Sequence, residues 1–200
     1  MKRILLTGYA GFIGSHLSEA LLEAGYDVVG VDSFNDYYDP EYKRGNVEKI
    51  KAFRAEKELV PEFIPLEGDL RNKDFVLGVF HAYKPDGVIH LAACAGVRPS
   101  ISDPELSTQV NINGTVNILE GMKQSGVKRM LFASSSSVYG NNKKVPFAES
   151  DPVDHPISPY AATKKACELI CHTYHHLYDI NIACLRFFTV YGPRQRPDLA

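Results

Sequence analysis

A strand-like run that opens into three spaced glycines and then a helix constrains this chain more than any other feature. Arg3–Thr7 is short and rich in leucine and isoleucine, and reads as a buried strand. It runs into Thr7-Gly8-Tyr9-Ala10-Gly11-Phe12-Ile13-Gly14, and Ser15–Ala24 follows with helical spacing, closed by Gly25 as a C-cap. Strand, glycine turn and helix start together make a cradle for a pyrophosphate. Missing side chains admit the anion to the backbone, and the first-turn N–H groups point at it. The spacing is Gly-x-x-Gly-x-x-Gly, not Gly-x-Gly-x-x-Gly. Three glycines alone also suit an ordinary turn; their place between strand and helix is what points to a dinucleotide.

The second strand, Asp27–Val31, ends at Asp32, 18 positions after Gly14. An acid there accepts hydrogen bonds from the ribose hydroxyls of an adenosine and repels a 2′-phosphate, which favours NAD over NADP. A strand-terminating turn Asp is the plainer alternative. After the polar-aromatic loop Phe34–Pro40 comes a charged helix near Glu41–Glu58, whose Lys and Glu residues read as a solvated face. Glu62–Leu66 is a third strand, with Asp69 of Gly68-Asp69-Leu70 placed to reach an adenine amino group. A crossover helix, Asn72–Tyr83, leads to a fourth strand, Val88–Leu91, and then to the small residues Ala92-Ala93-Cys94-Ala95-Gly96, against which a cofactor can lie. His90 sits in an apolar run and reads as a satisfied core residue.

Pro104–Gln124 is a helix, Arg129–Ala133 a fifth strand, Pro159–Tyr178 a helix and Ile180–Phe188 a sixth strand. Alternating strands and helices, with crossovers long enough to be right-handed, predict an α/β fold: a Rossmann-like doubly wound parallel sheet covered on both faces. The ligand would lie along the carboxyl edge of the strands.

Two stretches near that edge carry reactive groups. The fifth strand ends in Ser134-Ser135-Ser136-Ser137-Val138-Tyr139-Gly140, a polar loop or a set of hydroxyls facing the nicotinamide end. Ser158-Pro159-Tyr160-Ala161-Ala162-Thr163-Lys164 places Tyr160 and Lys164 one turn apart on the same helix face. An ammonium beside a phenol lowers a pKa that is ordinarily about 10, which makes a general base. Tyr-x-x-x-Lys also occurs by chance on amphipathic helices, so its meaning depends on the glycine turn upstream.

Composition excludes several other classes. Hydrophobic residues make up 44% and charged residues 23% of the chain, and the net charge is −2. That is no basic nucleic-acid binder and no disordered tail. No apolar run reaches membrane-spanning length. The segment Met1–Gly8 is too short in apolar residues for a signal peptide, and cleavage would remove the glycine motif, so the cytoplasm is expected. Cys94, Cys167, Cys171 and Cys184 lack metal-ligand spacing and read as reduced core thiols. His172, His175 and His176 share a helix side, but no carboxylate or cysteine completes a metal site, and an exposed or interface face is expected.

Taken jointly, the glycine triplet, the acid after strand two, the Ser-rich strand end and Tyr-x-x-x-Lys resemble the extended short-chain dehydrogenase/reductases. Within them the chain is similar to the NAD-dependent nucleotide-sugar epimerases and dehydratases over residues 1 to 200. The resemblance implies Gly8, Gly11, Phe12, Ile13 and Gly14 at the pyrophosphate, and Asp32 and Asn35 at the adenosine ribose. It implies Asp69 and Leu70 at the adenine, with Leu91, Ala92, Ala93, Asn111, Tyr160 and Lys164 along the rest of the NAD. Ser135 falls at the catalytic Ser/Thr position beside Tyr160 and Lys164.

Phe34–Arg44, Ala95-Gly96-Val97-Arg98 and Arg186-Phe187-Phe188-Thr189-Val190-Tyr191-Gly192-Pro193 are similar to segments of UDP-glucuronate 4-epimerases. Ser136, Ser137, Thr189 and Arg196 then stand as substrate residues, Arg196 as a partner for a carboxylate or else a surface loop charge. Cys94 and Arg194-Gln195 depart from those enzymes, which usually have Gln and Trp-Gly there. Ser136 and Ser137 replace the Asp and Glu of 4,6-dehydratases, so water elimination has no evident catalyst.

The resemblance further implies a UDP-sugar substrate and a homodimer through the helices 104–124 and 159–178, with neither nucleic acid nor membrane as partner. Residues 1–200 would be the dinucleotide-binding domain of a fragment or truncated product whose small C-terminal substrate lobe is largely missing. UDP-glucose/galactose epimerisation, a non-catalytic NAD-binding module and a purely structural subunit are the competing readings.

Overall fold

The computed structural model describes residues 2–196. Its six strands form one parallel sheet in the order β3-β2-β1-β4-β5-β6. They are β1 (Arg3–Thr7), β2 (Asp27–Asp32), β3 (Phe63–Glu67), β4 (Gly87–His90), β5 (Arg129–Ser135) and β6 (Asn181–Phe187). The helices are α1 (Phe12–Glu23), α2 (Pro40–Glu56), α3 (Lys73–Tyr83), α4 (Val97–Ser102), α5 (Pro104–Thr108), α6 (Gly114–Ser125) and α7 (Pro159–Tyr178). The expected single helix over 104–124 is α5 and α6 joined by a π-helical turn at Gln109–Asn113. The fifth strand runs two residues further than expected, carrying Ser134 and Ser135 on its end.

The strand order reverses at β1, which pairs with β2 on one side and β4 on the other. That is the position where a parallel sheet leaves a crevice at its carboxyl edge. Leu5, Val29, Val88, Met130 and Phe132 project to one face and pack under α3, α6 and α7, together with Ile118, Leu119 and Met122. Leu6 and Val28 project to the other face and meet Leu22 of α1 and Val47 and Ile50 of α2.

Among the described residues, coverage of the second face stops there, so the expected cover on both sides is complete only over the first strands. Alternate residues of β5 and β6 look into solvent, with Leu131 41% and Leu185 40% exposed. Two depressions of about 600 and 880 Å³ run along this strip, the first lined by Phe12, Ile13, Leu131, Leu185 and Phe187. α1 and α2 follow the first two strands and lie over their half of the sheet, while α3, α6 and α7 all fall on the opposite face.

Candidate active site

The glycine turn is held by close backbone approach. Gly8 has φ +73°, and a Cβ on it would stand 2.9 Å from the Ala92 nitrogen. A Cβ on Gly14 would stand 2.1 Å from the Gly8 carbonyl oxygen. Both positions therefore exclude any side chain. Gly11, the residue before α1, supplies no capping side chain, so the helix starts without a side-chain acceptor for its first N–H groups. This suits an anion, and the cradle fits the pyrophosphate of a dinucleotide. Phe12 and Ile13 offer main chain there, since their side chains line the apolar depression behind α1.

Asp32 is 6% exposed at the end of β2. Its Oδ1 accepts from the Phe34 N–H at 3.0 Å and from Lys43 Nζ at 2.8 Å. Lys43 also reaches the Asn35 side-chain oxygen at 3.3 Å. Lys43 corrects the reading of α2 as a solvated charged helix: with Asn46, Val47 and Ile50 it forms the buried stripe of that helix.

Asp69 is held by Arg71, whose backbone N–H bonds Oδ1 at 2.8 Å and whose guanidinium bonds Oδ2 at 2.6 Å. Burial pushes its carboxyl up, but those bonds and the Arg71 charge outweigh burial and hold it below the usual carboxylate range. Leu70 is buried against Gly114. Leu91, Ala92 and Ala93 are half-buried after β4, beside the turn. Asn111, on the π-helical turn and 2% exposed, accepts from the Cys94 N–H at 2.8 Å and donates to Thr163 Oγ1 at 2.9 Å. Its amide acts by fixing the small-residue loop after β4.

At the other end of the carboxyl edge the reactive groups converge. Ser158 caps α7 through the Ala161 N–H, and Ser100 accepts the Tyr160 N–H at 3.0 Å, which fixes the start of the helix. The Ser135 hydroxyl is near enough to the Tyr160 phenol to favour its ionised form and donates to Ser137 Oγ at 3.1 Å. Burial pushes the phenol up; the Ser135 hydroxyl and the Arg196 charge pull against it, and Tyr37 adds to the rise. The expected lowering by Lys164 is corrected. Its Nζ donates to the Ala133 carbonyl at 2.7 Å and lies 6.0 Å from the Tyr160 ring centre. α7 does put both residues on one face, but the long side chain reaches down to the sheet. Burial lowers the Lys164 ammonium to about 8.

Arg196 is half-buried and donates to the Ala95 carbonyl at 3.1 Å, with its guanidinium 5.0 Å from the Tyr37 ring. Tyr37 donates to the same carbonyl at 2.8 Å. Of the two readings of Arg196, the structure has it folded against the site. Ser136 and Ser137 are half-buried beside Ser135, while Thr189 lies on an exposed segment.

Several supporting residues carry no motif. Glu168, one turn beyond Lys164, accepts from Ser134 Oγ at 2.6 Å and from Arg186 Nε and Nη2 at 3.0 Å each, tying α7 to β5 and β6. Regular i, i+4, i+8 spacing of Tyr160, Lys164 and Glu168 was the available signal. His90 is a satisfied core residue, as expected: its ring nitrogens stand 2.6 Å from Thr7 Oγ1 and 3.0 Å from Thr115 Oγ1. Among the described residues no cluster of metal-ligating side chains occurs, and His172, His175 and His176 lie on an exposed helix side. All four cysteines are free, and three of them are buried.

The family described as GDP-mannose 4,6 dehydratase matches over residues 5–200. The UDP-glucuronate 4-epimerase 4 of Arabidopsis thaliana is 49% identical over 198 residues, which are 98% of this chain and 44% of that protein. Among solved structures, UDP-glucuronic acid 4-epimerase from Bacillus cereus, in complex with UDP-glucuronic acid and NAD, superposes with a TM-score of 0.84. It is 40% identical, over 98% of this chain and 59% of that one. UDP-glucose 4-epimerase from Thermotoga maritima, with UDP-glucose, gives a TM-score of 0.85 at 34% identity, over 98% and 58%. The chain thus spans about half the length of the curated relatives it matches.

Proposed function

The chain belongs to the family described as GDP-mannose 4,6 dehydratase, and within it we propose that it is the dinucleotide-binding and catalytic part of an NAD-dependent nucleotide-sugar 4-epimerase. The substrate pair we propose is UDP-glucuronate and UDP-galacturonate. The observation that carries this reading is the buried Tyr160 phenol under the influence of the Ser135 hydroxyl at a strand end, on the same carboxyl edge as a glycine turn that admits no side chain. Similarity to UDP-glucuronate 4-epimerases supports the sugar acid. Ser136 and Ser137 offer no acid–base pair for a dehydratase.

NAD would be held by Gly8, Gly11 and Gly14 at the pyrophosphate and by Asp32 and Asn35 at the adenosine ribose; when bound, it supplies the acceptor and donor of the C4 hydride. Tyr160 removes the C4 hydroxyl proton and later returns one, with Ser135 hydrogen-bonding the reacting oxygen. Lys164 keeps two further N–H donors beyond the Ala133 carbonyl for the nicotinamide ribose. The resulting 4-keto sugar presents its other face and is reduced there, so the site must retain the ketone between the two half-reactions. Arg196 holds the sugar carboxylate bidentately, with Ser136, Ser137 and Thr189 contributing hydroxyls around it.

We assign homodimerisation to the helices 104–124 and 159–178. Leu169 and Leu177, 57% and 59% exposed on α7, support that assignment. Among the described residues no helix is long and apolar enough to cross a membrane, and the free thiols support the cytoplasm as the working compartment.

The test is turnover of UDP-glucuronate and UDP-glucose side by side, with the product sugar read by NMR. Tyr160→Phe is expected to lower the rate by about 10²–10⁴-fold. Arg196→Ala is expected to cost the glucuronate reaction far more than the glucose reaction. Equal loss on both sugars would remove the carboxylate role. Preference for UDP-glucose would shift the reading to the glucose/galactose epimerases, which the likeness to the Thermotoga maritima enzyme also supports. NAD binding without turnover of either sugar would leave a binding module.

A further inference from the structure

Lys43 stands between the two ends of the adenosine-side cradle. It comes from α2, which is pinned to the glycine turn by Asn46 Nδ2 donating to the Ala10 carbonyl at 2.9 Å. One turn earlier on the same stripe, Lys43 Nζ lies 2.8 Å from Asp32 Oδ1, 3.3 Å from Asn35 Oδ1 and 5.3 Å from the Tyr38 ring centre. The side chains of Lys43 and Asp32 are 9% and 5% exposed, so this is a buried ion pair. Among the described residues, the donors to Asp32, Lys43 Nζ and the Phe34 N–H, both fall on Oδ1. Its second oxygen is thereby left to hydroxyl donors of a ligand.

A lone carboxylate and this pair differ in what they reject. A lone acid repels a 2′-phosphate by its charge. Here the charge is offset by an ammonium at hydrogen-bond distance, so orientation of the carboxylate carries more of the recognition and charge carries less. If the acid is neutralised, the same ammonium becomes a buried cation facing the place where a 2′-phosphate would sit.

We propose that Lys43 is a cofactor-positioning and specificity-determining residue: it fixes Asp32 by one oxygen so that the other meets the ribose diol, and it is the counter-ion a 2′-phosphate finds once Asp32 is neutralised. This rests on the NAD reading above.

Calorimetric titration of the 200-residue chain with NAD and with NADP tests it without any turnover. Wild type is expected to bind NAD in preference to NADP. Lys43→Met is expected to weaken NAD by about tenfold, the loss of one charge-assisted hydrogen bond. Asp32→Asn, which keeps an oxygen for Lys43, is expected to tighten NADP by about tenfold, and Asp32→Asn combined with Lys43→Met to lose that gain.

Lys43→Gln is a second probe, with a donor but no charge, should Lys43→Met not fold. It is expected to retain more NAD affinity than Lys43→Met and to give no NADP gain with Asp32→Asn. NAD affinity unchanged in both Lys43 variants, or equal NADP affinity in Asp32→Asn with and without Lys43, overturns the proposal. Wild type that binds neither dinucleotide removes the cofactor reading and this inference with it, a result distinct from wild-type binding that ignores Lys43.

Discussion

The two halves of the sheet are built by different means. Around β1 and β2 the structure is closed on both faces, and its functional end is set by backbone: glycines that no Cβ can replace and a buried ion pair behind them. Around β5 and β6, among the described residues, only the face under α6 and α7 is closed, and the functional end is set by side chains of one helix. Tyr160, Lys164 and Glu168 reach β5 and β6 through Ser135, the Ala133 carbonyl, Ser134 and Arg186. A cradle for a ligand common to many enzymes can be rigid in the main chain. Groups that transfer protons need their protonation set by neighbours, which only side chains supply. Among the described residues, the second face of β5 and β6 stays partly exposed.

The largest expected effect comes from the closed face of β5. Phe132 is 1% exposed and lies beneath Lys164 Nζ, 4.9 Å from its ring centre. Phe132→Ala should cost about 3–5 kcal/mol in urea denaturation, through lost burial and a cavity. A cost under about 1 kcal/mol would mean that the closed face is no better packed than the open one.

His90 gives the next effect, on acidification. Thr115 Oγ1 donates to the Asn111 carbonyl at 2.5 Å, so it accepts from Nε2–H of His90, and Nδ1 accepts from Thr7. The ring is held neutral: burial first, then the Lys164 charge, pushes its pKa down to about 3. Unfolded, the imidazole titrates near 6.5. Between those values the unfolded chain takes up a proton that the folded chain refuses, so stability falls as the pH drops below about 6.5. Relative to His90→Gln, wild type should lose about 3 kcal/mol between neutral pH and about pH 4.5. A parallel pair of stability curves would show that the Thr7–His90–Thr115 chain does not join the two halves as a neutral network.

Legibility in the sequence divides along the same line. Gly8 and Gly14 were readable because a backbone requirement leaves only one residue type. The shared face of Tyr160 and Lys164 was readable because a helix period fixes it, whereas Ser135 was singled out only by the resemblance, since the expected strand stopped at Ala133. Lys43 was hidden, since its buried stripe is filled by Lys43 and Asn46 as well as Val47 and Ile50, and a polar stripe among charges reads as solvent-facing. The true partner of Lys164 was unreadable because spacing along α7 says nothing about the carbonyl of β5 that the side chain meets. The bare strip escaped for a similar reason. Alternation of strand and helix predicts a parallel sheet, but it does not say on which face each crossover lands.

Lys164 sharpens the comparison at alkaline pH. Its ammonium is at about 8 in the fold and near 10.4 in the unfolded chain. Below about 8 both states carry the charge, and the fold bears the full cost of burying it. Between the two values the unfolded chain keeps a proton that the fold has released, so wild type gains stability as the pH rises. Lys164→Met has no such gain and should lose about 2 kcal/mol of its advantage over wild type between about pH 8 and pH 9.5. Equal slopes would place the ammonium in contact with water and weaken the picture of a half sealed on this side.

The smallest effect is expected on the open side of the same strands. Leu131 is the sequence neighbour of Phe132, and Leu185 lies on β6 beside it, paired with Ala133. Both already meet solvent in the fold, so folding removes less of their surface from water than it does for Phe132. Leu131→Ser and Leu185→Ser should each cost under about 1 kcal/mol, against the several for Phe132→Ala. They should also lower binding of an apolar dye, because the strip they belong to is a contiguous exposed apolar surface. A loss of several kcal/mol from either variant would mean that the strip is covered in solution. The half of the sheet carrying Tyr160 and Lys164 would then be closed on both faces like its neighbour.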